Sequence, residues 1–379
     1  MERLKLMTDN MRARSILGFA LLLALLMNGL YFMMPYDAVN PYEYLHGINL
    51  STFLALDIFI GGAVVPLIAL VGGYLIHSYS GIGVGNLAKV LGFLLALGIV
   101  HTFFVHAFDF LPGLALMGLV TVLFVRAHWS APLFSGLALF AVHLTTNVLV
   151  GFFTNIGSPT DIIYTAMQDV TEYTSVFRDT DYFAIVAMNI EIFSQNALSS
   201  LYGLIFTVLP WLLIGLSFGK LDVVRMIADG PVMAIVLFVV LAGGGIAMKM
   251  AQVLTLGSYS GRLLAENFGG PVLALGYFFL LAYATIVLPG RIIGVFSRAG
   301  RYIVTLYVLS NILFMLVFYG IGMRMYGEME ISSMIWLASA AYIFLLVLSA
   351  VMEKYNVKGI EHLFANNSEN DMKNKRDML

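Results

Sequence analysis

The sequence predicts an all-α fold, a polytopic transmembrane helical bundle of about ten spans with both termini cytoplasmic. Three observations lead there. Of 379 residues, 60% are hydrophobic and only 11% charged, against roughly 25% charged in soluble proteins, and mean hydropathy is +0.91. The apolar residues are gathered into runs that match a ~30 Å hydrocarbon layer at about 1.5 Å per residue. The basic residues are distributed unevenly between the connecting segments. The 20 basic and 22 acidic residues almost cancel, which points away from nucleic acid or any polyanionic partner. The chain has no cysteine, so disulfides, thiolate metal ligands and thiol nucleophiles are excluded.

The first run, MRARSILGFALLLALLMNGLYFMMP at 11–35, puts two arginines ahead of about twenty apolar residues. It is longer than the ~7–15 residue apolar core of a signal peptide and reads as a retained signal anchor. Further runs fall near 53–76, 87–106, 110–126, 131–153, 198–219, 231–251, 271–290, 302–323 and 333–352, each a candidate span. With the N-terminus inside, the inner segments hold Arg3, Lys5, Arg12, Arg14, Lys89, Arg126, Lys220, Arg225, Arg291, Arg298 and Arg301, and the tail adds Lys354, Lys358, Lys373, Lys375 and Arg376. That leaves only Arg178, Lys249, Arg262 and Arg324 outside, so the positive-inside rule favours an even number of spans.

The organisation that follows is a five-helix N-terminal half at 1–153, an acidic extracytoplasmic insert with short helices at 154–197, a five-helix C-terminal half at 198–364, and a disordered cytoplasmic tail at 365–379. Residues 35–52, PYDAVNPYEYLHGINLST, lack Lys and Arg and are rich in tyrosine, as an interfacial loop would be.

Ionisable groups inside spans cost ~2.5–3.5 kcal/mol or more on an isolated helix and so face a bundle interior or a wet cavity. Here they are few. Asn28 interrupts the first span, Asp57 lies one turn into the second, His101 and His106 near the end of the third, Asp109 at the turn into the fourth, and His143 midway along the fifth. With His46 they fall mostly on the outer half, which suggests a polar pocket of His101, His106, Asp109 and His143 beside Asn28. Each also has a purely structural use: an amide bridging helices, a helix-start carboxylate, histidines satisfied within the bundle. Imidazole and carboxylate suit zinc, but the intervals match no metal-ligand motif, and no metal is expected. Phosphate-binding, nucleophile-elbow and dinucleotide fingerprints are likewise missing.

Several segments together resemble the YeiB-like family of bacterial membrane proteins, whose C-terminal half is a domain of unknown function. They are LGFALLLALLMN at 17–28, FIGGAVVPLIALVGGYL at 59–75, LGIVHTFFVHAFDFLPGLALMGL at 97–119, AGRYIVTLYVLSNILFMLVFYGIG at 299–322 and KGIEHLF at 358–364. The chain departs from the family at the first-helix Asp-x-x-Arg pair, replaced by Arg14 and Leu17, at a lysine replaced by Ala63, and at an asparagine replaced by Leu306. It reads as a divergent member, placed by the resemblance in the bacterial cell (plasma) membrane.

The family is in turn distantly similar to transmembrane acyltransferases such as heparan-alpha-glucosaminide N-acetyltransferase, which carry an acyl group from acyl-CoA to an acceptor across the membrane. That resemblance implies acyl-CoA as co-substrate and a reaction centre of Asn28, His46 and Asp57. His46 would deprotonate the acceptor or carry the acyl group, Asn28 would donate to the thioester oxygen, and Asp57 would orient the imidazole. Arg291, Arg298 and Arg301 on the inner side would meet the CoA phosphates. The expected partners are membrane lipids and an envelope glycan, lipid or peptide acceptor. A second class competes: a transporter or export and immunity factor for a small or amphipathic substrate, with glycine-rich broken spans. A third is a non-catalytic scaffold or dimerising protein that pairs as a homodimer.

Overall fold

Gly73, Gly215, Gly245, Gly276 and Gly300 stand where helices touch backbone to backbone in the computed structural model. In lipid there is no hydrophobic drive to bring helices together, so close packing through small residues has to supply the attraction. The structure describes residues 2–36, 39–157, 167–255 and 258–361, and among these all regular structure is helical.

The order is α1 (Glu2–Met33), α2 (Pro41–Tyr44), α3 (Gly47–Phe59), α4 (Val64–Ser78), α5 (Val84–Phe104), α6 (Leu111–Val122), α7 (Ser130–Gly157), α8 (Met167–Phe177) and α9 (Tyr182–Thr207). Then come α10 (Leu209–Leu221), α11 (Val223–Asp229), α12 (Pro231–Leu254), α13 (Tyr259–Leu264), α14 (Gly270–Val287), α15 (Gly290–Arg301), α16 (Ile303–Phe318) and α17 (Ile331–Lys354). A π-helical turn, Ala265–Gly269, joins α13 to α14. Proline opens several of these helices at the first turn, as Pro112, Pro210, Pro231 and Pro271 do, where its missing N–H has no intrahelical acceptor to lose.

Among the described residues, eight stretches are long and apolar enough to cross a membrane, with a ninth if α15 and α16 form one span bent by 75°. The ten-span expectation takes α6 and α16 as complete crossings. The 12 residues of α6 reach only about 18 Å, and α16 has 16 residues beyond a sharp bend. The insert also differs from expectation. The expected insert ends at residue 197, but α9 runs unbroken from Tyr182 to Thr207, so that boundary falls inside a helix. Asp37, Asp161 and the 365–379 tail lie outside the described residues.

Two clusters form the interior. One packs the far half of α1 against α16 and α17 through Leu25, Phe32, Phe314 and Met334, and the other packs the near half against α4, α10 and α14 through Ile16, Leu70, Leu216 and Phe278. Two approaches are very close: a methyl group at Gly300 on α15 would fall 1.8 Å from the Arg14 carbonyl oxygen of α1, and one at Gly215 on α10 would fall 1.9 Å from the Leu70 carbonyl oxygen of α4. The basic segments meet at one end of the bundle, where Arg14 donates to the Tyr79 hydroxyl and Lys220 to the carbonyls of Val125 and Ala127. The opposite end is closed by the 319–330 segment, with Gly327 N–H bonded to the Met33 carbonyl at 2.7 Å and Gly320 N–H to that of Phe177 at 2.8 Å. The polar residues lie toward that second end.

Candidate functional site

Two polar centres with buried carboxylates lie in the described interior, and they share no residue. The first is built where α1, α16 and the α5–α6 connection meet. Asn28 is 8% exposed on α1. Its amide nitrogen donates to Asn311 Oδ1 at 2.9 Å and to the Tyr307 hydroxyl at 3.3 Å. Tyr307 and Asn311 stand four residues apart on α16 and so share one face of it. The Tyr307 hydroxyl donates in turn to Asp109 Oδ1 at 2.6 Å. The same Asp109 oxygen accepts the Leu111 N–H at the start of α6, at 3.0 Å, and the other oxygen lies 2.8 Å from His101 Nδ1.

Asp109 accepts from Tyr307 and Leu111 through Oδ1, so its Oδ2 is left to accept from His101 Nδ1–H, and the ring is held with Nε2 pointing away from the carboxylate. His101 is 3% exposed. Its Nε2 and the Asn311 amide nitrogen are both buried without a hydrogen-bond partner among the described residues. Buried polar groups are nearly always paired. An oriented base and a spare N–H donor on the same network therefore amount to two unmet contacts of opposite sense.

His106 sits in the 105–110 connection beyond the end of α5. Its ring stacks on Phe32 with centroids 4.0 Å apart, and Nδ1 is 3.1 Å from the Tyr319 hydroxyl. Burial, helped by the neighbouring His101, lowers its pKa from 6.5 to about 3, so it is neutral. A narrow aromatic recess lies against it, lined by Tyr31, Phe108, Phe177, Tyr319 and Tyr326.

The second centre is an ion pair. Asp57 Oδ1 lies 3.5 Å from Lys249 Nζ, with both side chains at most 1% exposed.

The expected catalytic trio is not assembled. Asn28 is turned to α16, and His46 is an exposed N-cap residue of α3 making no side-chain cap. Eleven residues of nearly continuous helix separate His46 from Asp57, about 16 Å along the axis, and Asp57 faces Lys249 instead. Asp57 therefore cannot orient that imidazole. The expected pocket divides as well: His101, His106 and Asp109 are neighbours, but His143 belongs elsewhere, 3.1 Å from Asn267 Oδ1 and bonded to Asn147. Of the three expected phosphate ligands, Arg298 and Arg301 both hold Glu353, while Arg291 is exposed.

Sequence reading missed Tyr307, Asn311 and Lys249. Asn311 carries the same signal as Asn28, an amide inside an apolar run. Lys249 falls with the outer segments in the charge count, but it lies within α12.

Residues 218–364 match the model of a family described as a protein of unknown function, DUF418. The match runs from the end of α10 past α17 and takes in Lys249, Tyr307 and Asn311. It also covers AGRYIVTLYVLSNILFMLVFYGIG and KGIEHLF, two of the segments behind the YeiB-like resemblance. Neither a curated protein nor a solved structure matches the chain.

Proposed function

We propose that the chain is an integral membrane acyltransferase-like protein, moving an acyl group from a cytoplasmic acyl-CoA to an extracytoplasmic envelope acceptor, with His101 as its base in place of His46. One observation carries the reading: the His101 ring is held by Asp109 through Nδ1 while Nε2 is buried and unpartnered. That is the orientation a general base requires. In the step, Nε2 takes the proton of an acceptor hydroxyl or amine as its heteroatom attacks the thioester carbonyl. The C–S bond then breaks, and the imidazolium returns its proton to the departing thiolate. The spare Asn311 N–H is the donor for the developing oxyanion. Asn28 keeps that amide in place by holding its oxygen. In this reading the basic end faces the cytoplasm, and Arg291 is the arginine left for the CoA phosphates.

The test uses full-length protein in lipid nanodiscs with radiolabelled acetyl-CoA and a bacterial envelope extract. Label should pass to the extract with release of free thiol, and His101→Ala should lower the rate by about 10²–10⁴, the usual contribution of a general base. A folded His101→Ala protein transferring label at the wild-type rate would overturn the assignment, as would wild-type protein that neither binds acetyl-CoA nor transfers label.

The alternative, a transporter without acyl transfer, is favoured by a different observation. The buried Asp57–Lys249 pair lies beside a break between α3 and α4 and a π-helical turn, and broken helices at intramembrane charges are a transport feature.

A further inference from the structure

Asp57 and Lys249 are the buried charges that the His101 site does not use. Their Oδ1–Nζ separation of 3.5 Å exceeds the ~2.7–2.9 Å of a charge-assisted hydrogen bond. The other carboxylate oxygen, Oδ2, is buried and has no partner among the described residues. A salt bridge kept only for stability would close both gaps, because a carboxylate out of water is compensated only when its lone pairs are satisfied.

The surroundings are shaped for this pair. At the end of α3 the carboxylate folds back over Gly61, where a methyl group would fall 2.2 Å from Oδ1. The lysine stem passes over Gly269, where a methyl group would meet its Cγ at 2.8 Å. Gly62 breaks the helix with φ +68° and lies against the backbone of Glu266 in the π-helical turn and of Gly270 at the start of α14. The Tyr277 hydroxyl donates to the Phe59 carbonyl at the same break, at 2.5 Å. Single-turn π segments recur at functional sites. Besides Lys249 on α12, the ionisable groups whose charges act on Asp57 are Arg262 on α13 and Glu266 in the π turn, together with Tyr36 beyond α1. Arg262 and Glu266 pair with each other at 2.8 Å and are partly exposed, at 18% and 34%. They give a hydrated ion pair next to a dry one.

We infer that Asp57 and Lys249 form an intramembrane proton-exchange site, supplied from solvent past Glu266 and linked to the α3–α4 break. A proton from solvent hydronium binds a lone pair of Oδ2. The O–H bond forms, the carboxylate becomes a neutral acid, and the Lys249 ammonium loses its partner; the site passes from zero to +1 charge, with no electron transferred. Two completely buried side chains leave no space for a hydrated ion, so the proton is the ligand that fits. An ammonium left alone in the bundle is unstable where it stands, and it drives movement at the adjacent glycine break.

The site does not depend on the His101 reading. Full-length protein in nanodiscs would be followed by infrared difference spectroscopy on acidification. The carbonyl stretch of a protonated, dehydrated carboxylic acid should appear, vanish in Asp57→Asn, form more slowly in Glu266→Gln and persist in His101→Ala. Asp57→Glu, which keeps the charge, covers the case in which Asp57→Asn does not fold, and it should shift the band. Wild-type protein without the band while still folded would overturn the inference, and so would a band unchanged in folded Asp57→Asn or in Asp57→Glu. Wild-type protein that shows the band but transfers no acyl group, or His101→Ala that keeps both the band and wild-type transfer, would count against the His101 reading alone.

Discussion

His101 Nδ1 lies 2.8 Å from Asp109 Oδ2, eight residues along the chain and across the turn between two helices. The second ring nitrogen has no hydrogen-bond partner among the described residues. The ring is thus held on one side and open on the other, and the group that orients it is Asp109.

Asp109→Asn should therefore impair the base more than the fold. An asparagine oriented to keep the Tyr307 and Leu111 bonds turns its NH₂ toward Nδ1, which pushes the ring proton to Nε2 and blocks the lone pair that the reaction needs. Acyl transfer should drop by about 10²-fold or more, with the thermal unfolding of the nanodisc-embedded protein little changed. Equal loss of stability and activity would instead mark Asp109 as structural.

Asn28→Ala removes the donor that holds both Asn311 and Tyr307. The Asn311 oxygen is then buried without its partner, at a cost of about 1–3 kcal/mol. Unfolding followed by far-ultraviolet circular dichroism in mild detergent should show that loss. Asn28→Asp is expected to be worse, since it exchanges a donor for a buried charge facing Asn311 Oδ1.

Asn28 was legible in the sequence because an amide in an apolar run announces itself whatever surrounds it. Its partners were not: Tyr307 and Asn311 lie some 280 residues further on, and their pairing follows from how α1 and α16 pack. Helical class and membrane character were equally legible, since composition and run length carry them. The length of α6 was not, because its apolar run continues past Val122 through turn-forming residues 123–125. The misplacement of His46 has a related cause. Nearness in sequence suggested nearness in space, but α3 extends away from His46 and carries Asp57 about 16 Å along its axis.

His106 gives the fold a pH limit. Its pKa is about 3 in the folded protein, lowered by burial, against ~6.5 when unfolded. Between those values the unfolded chain binds the extra proton and the folded one does not, so stability rises with pH across the window. The contribution is complete above about 6.5 and is lost progressively as pH falls toward 3. His106→Phe, which keeps the stack on Phe32 without a titrating group, should flatten the dependence of unfolding on pH over that range. An unaltered slope would show that other groups set it.

The Asp57–Lys249 pair allows a sharper experiment, because breaking it and replacing it have opposite consequences. Lys249→Met leaves a carboxylate buried and alone, and losing one partner of such a pair costs about 3–5 kcal/mol. Adding Asp57→Leu removes the stranded charge, and a buried ion pair exchanged for apolar residues of similar size is often neutral or stabilising. If the pair serves only the fold, the double variant should regain stability and keep every activity of the wild type. If it serves proton exchange, the double variant should regain stability while losing the acid-dependent carbonyl band. Thermal unfolding and infrared spectra of the same four proteins (wild type, two single variants and the double variant) separate these outcomes, since packing governs the first measurement and proton binding the second.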